Sequence, residues 1–254
     1  MTISIGQSGF LLAFWLVATS TWAEPVADDI RHLPSFRASY DIDHRFGNGR
    51  SRTTLTVLPD GEGYVYESWL KAKGAAKLFL GETTETSRFE IVDDQLVARE
   101  WKFRDGRRFG RRNQLATFDW TTGTVEAQYK GQTTTLSIEP GTMDRHIVVL
   151  ALMNDLRKGV TRDSYPIIEK SRLRVYLFEN MGEEDLTTSQ GAINTVKLLR
   201  RREGSDNIAQ LWLAPELNYL LVRAEYYRKG KRDLVMTLNQ IAWLDNEATS
   251  VAQK

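Results

Sequence analysis

Apolar and polar residues alternate with a period of two along most of the chain. Phe36, Ala38, Tyr40 and Ile42 share one face of a first strand over 36–46, and Asn48-Gly49 after it reads as a turn. A second strand over 51–58 carries Leu55 and Val57, and Pro59-Asp60-Gly61 ends it. Strands follow over 63–73, 83–92 and 95–104, broken at Asp93-Asp94 and Asp105-Gly106. Segments 112–120, 124–129 and 133–138 complete a first sheet-like half, with turns at Gly123 and Lys130-Gly131. The period then changes once. Ile147, Leu150, Ala151 and Leu156 recur at helical spacing over 143–156. Arg157-Lys158-Gly159 supplies the basic residues and glycine of a helix end. Period two returns after Pro166 with Leu173, Val175 and Leu177, then over 192–200, 207–213, 217–227 and 233–243.

Strands joined by short turns are antiparallel neighbours. The pattern predicts a mainly β protein of about ten to twelve strands with one principal helix. A sheet of that size curls or closes, so the expected architecture is a large curved antiparallel sheet or incomplete β-barrel. Its interior must be filled by side chains, by the helix or by a ligand. An outer-membrane barrel is the competing reading of the same alternation. The embedded helix, the polar terminal VAQK and runs such as RFGRR weigh against it.

The first segment sets the expected compartment. Residues 1–23 hold no Lys, Arg, Asp or Glu, and Phe10 to Ala18 is an unbroken apolar run. The run falls short of the roughly 20 residues of a membrane span but suits a signal-peptide core. Thr21 and Ala23 are small enough for cleavage after Ala23, although the segment before the run lacks a basic residue. The expected organisation is a signal peptide over 1–23, an extended segment over 24–35, one β-rich domain over 36–245 and a loose tail over 246–254. The mature chain would be periplasmic, with no transmembrane span.

Composition narrows the chemistry. The 254 residues include no cysteine, which removes thiol nucleophiles, disulfides and Cys-ligated metals. A net charge of +1 does not suit a bulk polyanion binder. The local exception is Lys102 to Arg112, KFRDGRRFGRR, where Lys102, Arg104, Arg107, Arg108, Arg111 and Arg112 face one acid, Asp105. Lys197–Arg202 and Arg228–Arg232 are weaker basic tips. Three basic tips on one rim would suit an anionic envelope partner; nucleic acid is excluded by export. Seven Trp and nine Tyr are many for this length. Trp69, Trp101, Trp120, Trp212 and Trp243 sit at strand positions, where they fill a core or line a cleft.

Catalytic signals are weak. Glu183-Glu184-Asp185 lies beside Met181-Gly182 and reads as a solvated acidic loop. Asp144-Arg145-His146 stands at the helix start, where Asp144 suits the helix dipole and His146 is the one candidate general base. His32 and His44 show no metal-ligand spacing, no Gly-x-Ser-x-Gly occurs in the mature chain, and no phosphate loop or cofactor motif occurs.

Several patches resemble the domain-of-unknown-function 3108 family of exported bacterial proteins. They are FRASYDIDHRFGNGRSRTTLTV, TETSRFEIVDDQLVAREW with Ser87-Arg88-Phe89, TFDWTTGTVEA with Phe118, Asp119 and Trp120, and GTMDRHIVVLALMNDLRKG with Asp144. GAINTVKLLRRRE and LWLAPELNYLLVRAEYYRKGKRDLVMTLN, with Trp212 and Pro215, complete them. One departure is Leu220-Leu221-Val222, where the family commonly places a proline. The resemblance implies a signal peptide, a β-rich fold and an envelope location, and brings no catalytic residues.

Three functions are then in play. The first is a non-enzymatic binding or carrier module for an amphipathic, lipid-like envelope ligand. Its expected contacts are Arg104, Arg107, Arg108, Arg111 and Arg112 at a basic rim and Trp101, Trp120 and Trp212 in a cleft. The second is a structural partner of an envelope protein, joined at a sheet edge. The third is a glycan or ester hydrolase drawing on His146 and Asp144. No cofactor or metal is expected for any of them.

Overall fold

The structure is a computed structural model that describes residues 33–59, 61–74, 77, 81–106, 112–160, 162–188 and 191–244. The expected signal peptide and C-terminal tail lie outside the described residues, as do His32, Arg107, Arg108 and Arg111.

In chain order the first strands are β1 (Phe36–His44), β2 (Gly47–Val57), β3 (Tyr64–Ala72), β4 (Glu82–Val92) and β5 (Gln95–Asp105). β6 (Gln114–Asp119), β7 (Thr124–Tyr129), β8 (Gln132–Ser137) and β9 (Met143–Asp144) follow. Helix α1 (Val148–Arg157) comes next, then β10 (Ser164–Glu169), β11 (Arg172–Thr188), β12 (Gly191–Arg202), β13 (Ile208–Ala214), β14 (Leu220–Arg228) and β15 (Lys231–Trp243). Among the described residues, the fifteen strands form one sheet, in the order β8 to β1 and then β15 back to β9. Each half is a meander, and β1 pairs with β15 to join them. All neighbours are antiparallel except β9 and β10, which share a two-residue parallel pairing.

The sheet is open, and its strand number exceeds the ten to twelve expected. Two strands escape the sequence pattern for physical reasons. β10 contains Pro166, which lacks an N–H and reads as a break; the strand tolerates it near the sheet edge, where β9 covers only Ile167 and Ile168. β9 occupies residues expected to begin the helix, which starts at Val148 instead. The Glu183-Glu184-Asp185 segment is strand rather than loop, because a bulge between Asn180 and Glu183 absorbs the Met181-Gly182 interruption. Asn48-Gly49 is likewise inside β2, with the turn at Arg45-Phe46. Gly49 is needed there for proximity rather than turning: a Cβ would lie 2.8 Å from the Lys71 carbonyl oxygen on β3.

Curling brings the two sheet ends together through side chains rather than a ladder. Ser171 Oγ donates to the Ala127 carbonyl at 3.0 Å, and the Lys170 N–H donates to Gln114 Oε1 at 2.8 Å. The interior face is apolar along most strands: Phe36, Ala38, Tyr40 and Ile42 of β1 are all buried, as are Ala209 and Leu211 of β13. Leu33 is also fully buried, and the Ser35 carbonyl accepts the Leu244 N–H, so 33–35 belongs to the folded unit. α1 fills part of the interior, burying Leu150, Ala151 and Asn154. Its C-terminal end is tied to the β4–β5 turn: Asn154 Nδ2 and Lys158 Nζ both donate to the Asp94 carbonyl.

Candidate functional site

α1 does not fill the curled sheet. A cavity of about 690 Å³ remains, within the range of small-molecule sites. Phe36 and Ile42 of β1, Val148, Leu152 and Met153 of α1, and Leu211, Leu220, Leu221 and Met236 make its apolar wall. Phe46 and Arg112, both exposed, stand at its mouth. Five arginines line it (Arg45, Arg112, Arg145, Arg200 and Arg228) against three carboxylates (Glu85, Glu169 and Asp233).

Those charges are not evenly matched. Arg45 and Arg228 share Asp233, at 2.9 and 3.4 Å. Arg145 donates from Nε to Glu85 Oε1 at 3.0 Å and lies 3.9 Å from Glu169, with its guanidinium over the rings of Trp101 and Phe103. Burial would raise the Glu85 pKa, but the charge and hydrogen bond of Arg145, with the Trp101 hydrogen bond, hold it below its ordinary value, so the pair is ionic. Among the described residues, Arg112 and Arg200 have no carboxylate partner. The wall therefore carries surplus positive charge in a low-dielectric enclosure, which concentrates field on an entering anion.

A second feature lies where β9 meets β3 and β4. Asp144 Oδ1 accepts the backbone N–H groups of His146 and Ile147 at 2.8 and 3.1 Å, and the Ser87 hydroxyl at 3.0 Å. Having donated to Asp144, Ser87 accepts from His146 Nδ1, 3.0 Å away. The ring proton is thereby assigned to Nδ1, leaving Nε2 to accept from the Ser68 hydroxyl at 2.7 Å. Tyr66 stacks on the imidazole at 4.3 Å. Burial drives both titrating groups toward neutrality. It lowers the His146 pKa to about 4, and raises that of Asp144 to about 7 against the opposing backbone hydrogen bonds. Ser68 and His146 face the cavity. No three His, Asp or Glu side chains converge as a metal site among the described residues.

The sequence-predicted contacts divide. Each of the three basic segments delivers one arginine to the cavity wall: Arg112, Arg200 and Arg228. Arg104 is exposed on β5 and does not line the cavity. Trp101 is buried beside it, its indole N–H donating to Glu85 at 2.9 Å, and Trp120 donates to the Ala98 carbonyl at 2.7 Å. Trp212 adjoins cavity-lining Leu211 on β13, so it projects from the opposite face of the sheet, between Lys197 and Arg223. Arg200, Arg145 and Ser68 were not singled out from the sequence. The Arg200-Arg201-Arg202 run and the interior parity of β12 were the available signal for Arg200. For Ser68 the signal was its place on the alternating face with Tyr64, Tyr66 and Leu70; Arg145 carried none.

Comparison with known proteins places this architecture. The profile described as "Protein of unknown function (DUF3108)" matches residues 35–237, which is most of the chain. The chain belongs to that family. No curated protein matches its sequence. Among solved structures, the family member is similar to a β-barrel-like protein of domain of unknown function DUF1849 from Brucella abortus. The TM-score is 0.54 at 11% identity, over 84% of this chain and 99% of that one. It also matches the MucA/MucB complex of Pseudomonas aeruginosa with a TM-score of 0.36 at 12% identity, over 88% of this chain and 58% of that one. At such identities the first likeness speaks for the fold alone. Among the described residues no helix is long and apolar enough to cross a membrane.

Proposed function

We propose that this DUF3108 protein is a non-enzymatic periplasmic binding or carrier module for an amphipathic, lipid-like envelope ligand. One observation carries the reading: a cavity of about 690 Å³ with an apolar wall receives one arginine from each of three separate basic segments. Apolar contacts inside and a few convergent charges are what an amphiphile requires. The apolar residues 10–18 support export. The test is purification from the periplasmic fraction without detergent, followed by native and denaturing mass spectrometry. The denatured mass should match cleavage after Ala23. Native mass in excess of the chain, lost on denaturation, is the expected result. A bare native mass together with silent amphiphile titrations would move the assignment to a protein partner at the sheet edge.

One contact favours a second reading, an ester hydrolase. The Ser68 hydroxyl points at an unprotonated imidazole nitrogen 2.7 Å away, on the cavity wall. The opposing consideration is that Asp144 reaches the imidazole only through Ser87. Incubation with a fluorophosphonate followed by peptide mass spectrometry decides it: labelling of Ser68 would establish the hydrolase reading, and no labelling would remove it.

A further inference from the structure

Arg200 differs from every other cation in the cavity. It lies on β12, half-buried, in a row that crosses four strands: Arg200 opposite Ala209, Ala209 opposite Tyr226, and Tyr226 opposite Leu234. His44 continues the row on β1. The row runs one residue in from Arg45 and Asp233 at the mouth, and Arg200 lines the cavity there. Its guanidinium lies over the ring of Tyr176 at 4.9 Å and over that of Tyr226 at 5.5 Å. Two aromatic faces hold the plane of the group in place but use none of its five N–H donors.

The neighbouring acid cannot serve it. Glu169 accepts the Tyr176 hydroxyl at 2.9 Å and is engaged by Arg145, Lys170 and Arg202. Asp233 is shared by Arg45 and Arg228. A permanently charged fork with a fixed plane and donors unclaimed among the described residues, facing a cavity with an apolar wall, matches a planar or tetrahedral oxyanion.

Resting on the carrier reading above, we infer that Arg200 is the seat of an anionic head group, a carboxylate or a phosphate ester, belonging to the cavity's ligand. The tail of that ligand runs along the apolar wall made by α1 and β13–β15. Arg112 at the mouth is a secondary contact.

The experiment is fluorescence titration of the secreted protein with dansylaminoundecanoic acid and with its methyl ester, which has the same tail and no charge. The acid should bind at least about tenfold tighter, the discrimination expected of one charge-assisted hydrogen-bonded contact. Arg200→Met, which keeps bulk and removes charge, should abolish that preference and leave ester affinity within about twofold. Arg200→Lys should retain part of the preference, because charge survives without the fork. Displacement by lysophosphatidic acid and by lauric acid then separates the sources. The competitor whose potency falls more in Arg200→Met identifies phosphate or carboxylate as the head group.

If neither dansyl probe binds the wild type, the carrier reading fails and the inference fails with it. Equal binding of acid and ester to the wild type would overturn the inference alone. So would an Arg200→Met variant that loses both probes equally, since that marks a structural role.

Discussion

Two arginines of the same cavity, one on each side of the Tyr176–Glu169 pair, show how differently one residue type can be used. Arg145 is enclosed by Glu85, Glu169, Trp101 and Phe103, and its charge is consumed by the fold. Arg200 has two tyrosine faces and no carboxylate among the described residues. The first cation is satisfied within the fold; the second has no acid to neutralise it among the described residues. Buried charge that is paired locks a structure, whereas charge left unpaired beside an apolar void costs folding energy unless a ligand repays it.

The largest effect that could break this contrast is on stability. Arg145→Met should cost about 3 kcal/mol in urea denaturation, because it leaves Glu85 and Glu169 as partly uncompensated buried charges. Arg200→Met should change stability by about 1 kcal/mol or less, because the loss of its aromatic contacts is offset by removal of an unpaired charge. Comparable losses from the two variants would show that the two arginines are not different in kind.

The next effect is a pH dependence at the Asp144–His146 pair beside Arg145. His146 titrates at about 4 when folded, below its ordinary 6.5, so the unfolded chain binds the extra proton. Its contribution to stability therefore rises with pH between about 4 and 6.5. Asp144 titrates at about 7 when folded, above its ordinary 3.8, so the folded chain binds the extra proton. Its contribution falls as pH rises from about 3.8 to about 7. The two slopes oppose and largely overlap in the wild type. Asp144→Asn should expose the histidine slope, with denaturation midpoints climbing from pH 4 to 6.5. His146→Gln should expose the reverse. Flat profiles in both variants would mean that neither group is perturbed by the fold.

These groups also mark the limit of what the sequence could disclose. The meander, helix α1 and the three basic segments were legible because each leaves a local trace: period two, period 3.6, or a charge run. β10 was not, because Pro166 signals a break unless the strand is known to lie near an edge. The pairing of Ser68 with His146 was not, because it joins residues 78 apart in sequence. The curvature that places Arg112, Arg200 and Arg228 around one cavity is a property of fifteen strands together. Trp212 shows the converse. It looked like a cleft aromatic, but a one-residue difference in parity sends it to the other face from Leu211.

A third test adds charge to the wall. Asp233→Asn releases Arg45 and Arg228 at the mouth while removing two partly exposed ion pairs. Stability should fall by about 1 kcal/mol or less. The affinity for dansylaminoundecanoic acid should rise, by up to about fivefold if each freed cation contributes as a surface pair does. A fall in affinity would mean that Asp233 positions the mouth rather than neutralises it.

The smallest expected effect is on the outer face. Trp212 is buried between Lys197 at 4.8 Å and Arg223 at 5.8 Å, and Glu184 pairs with Lys197 at 2.8 Å above it. Trp212→Phe keeps an aromatic face for both cations and trims only the larger ring, so stability should drop by about 1 kcal/mol. Binding of the dansyl acid should stay within about twofold of wild type, because the substitution lies across the sheet from the cavity. A loss of affinity as large as that of Arg200→Met would mean that the β12–β13 pairing transmits strain from one face to the other. The seat of the anion would then be the strand pair as a unit rather than the guanidinium of Arg200.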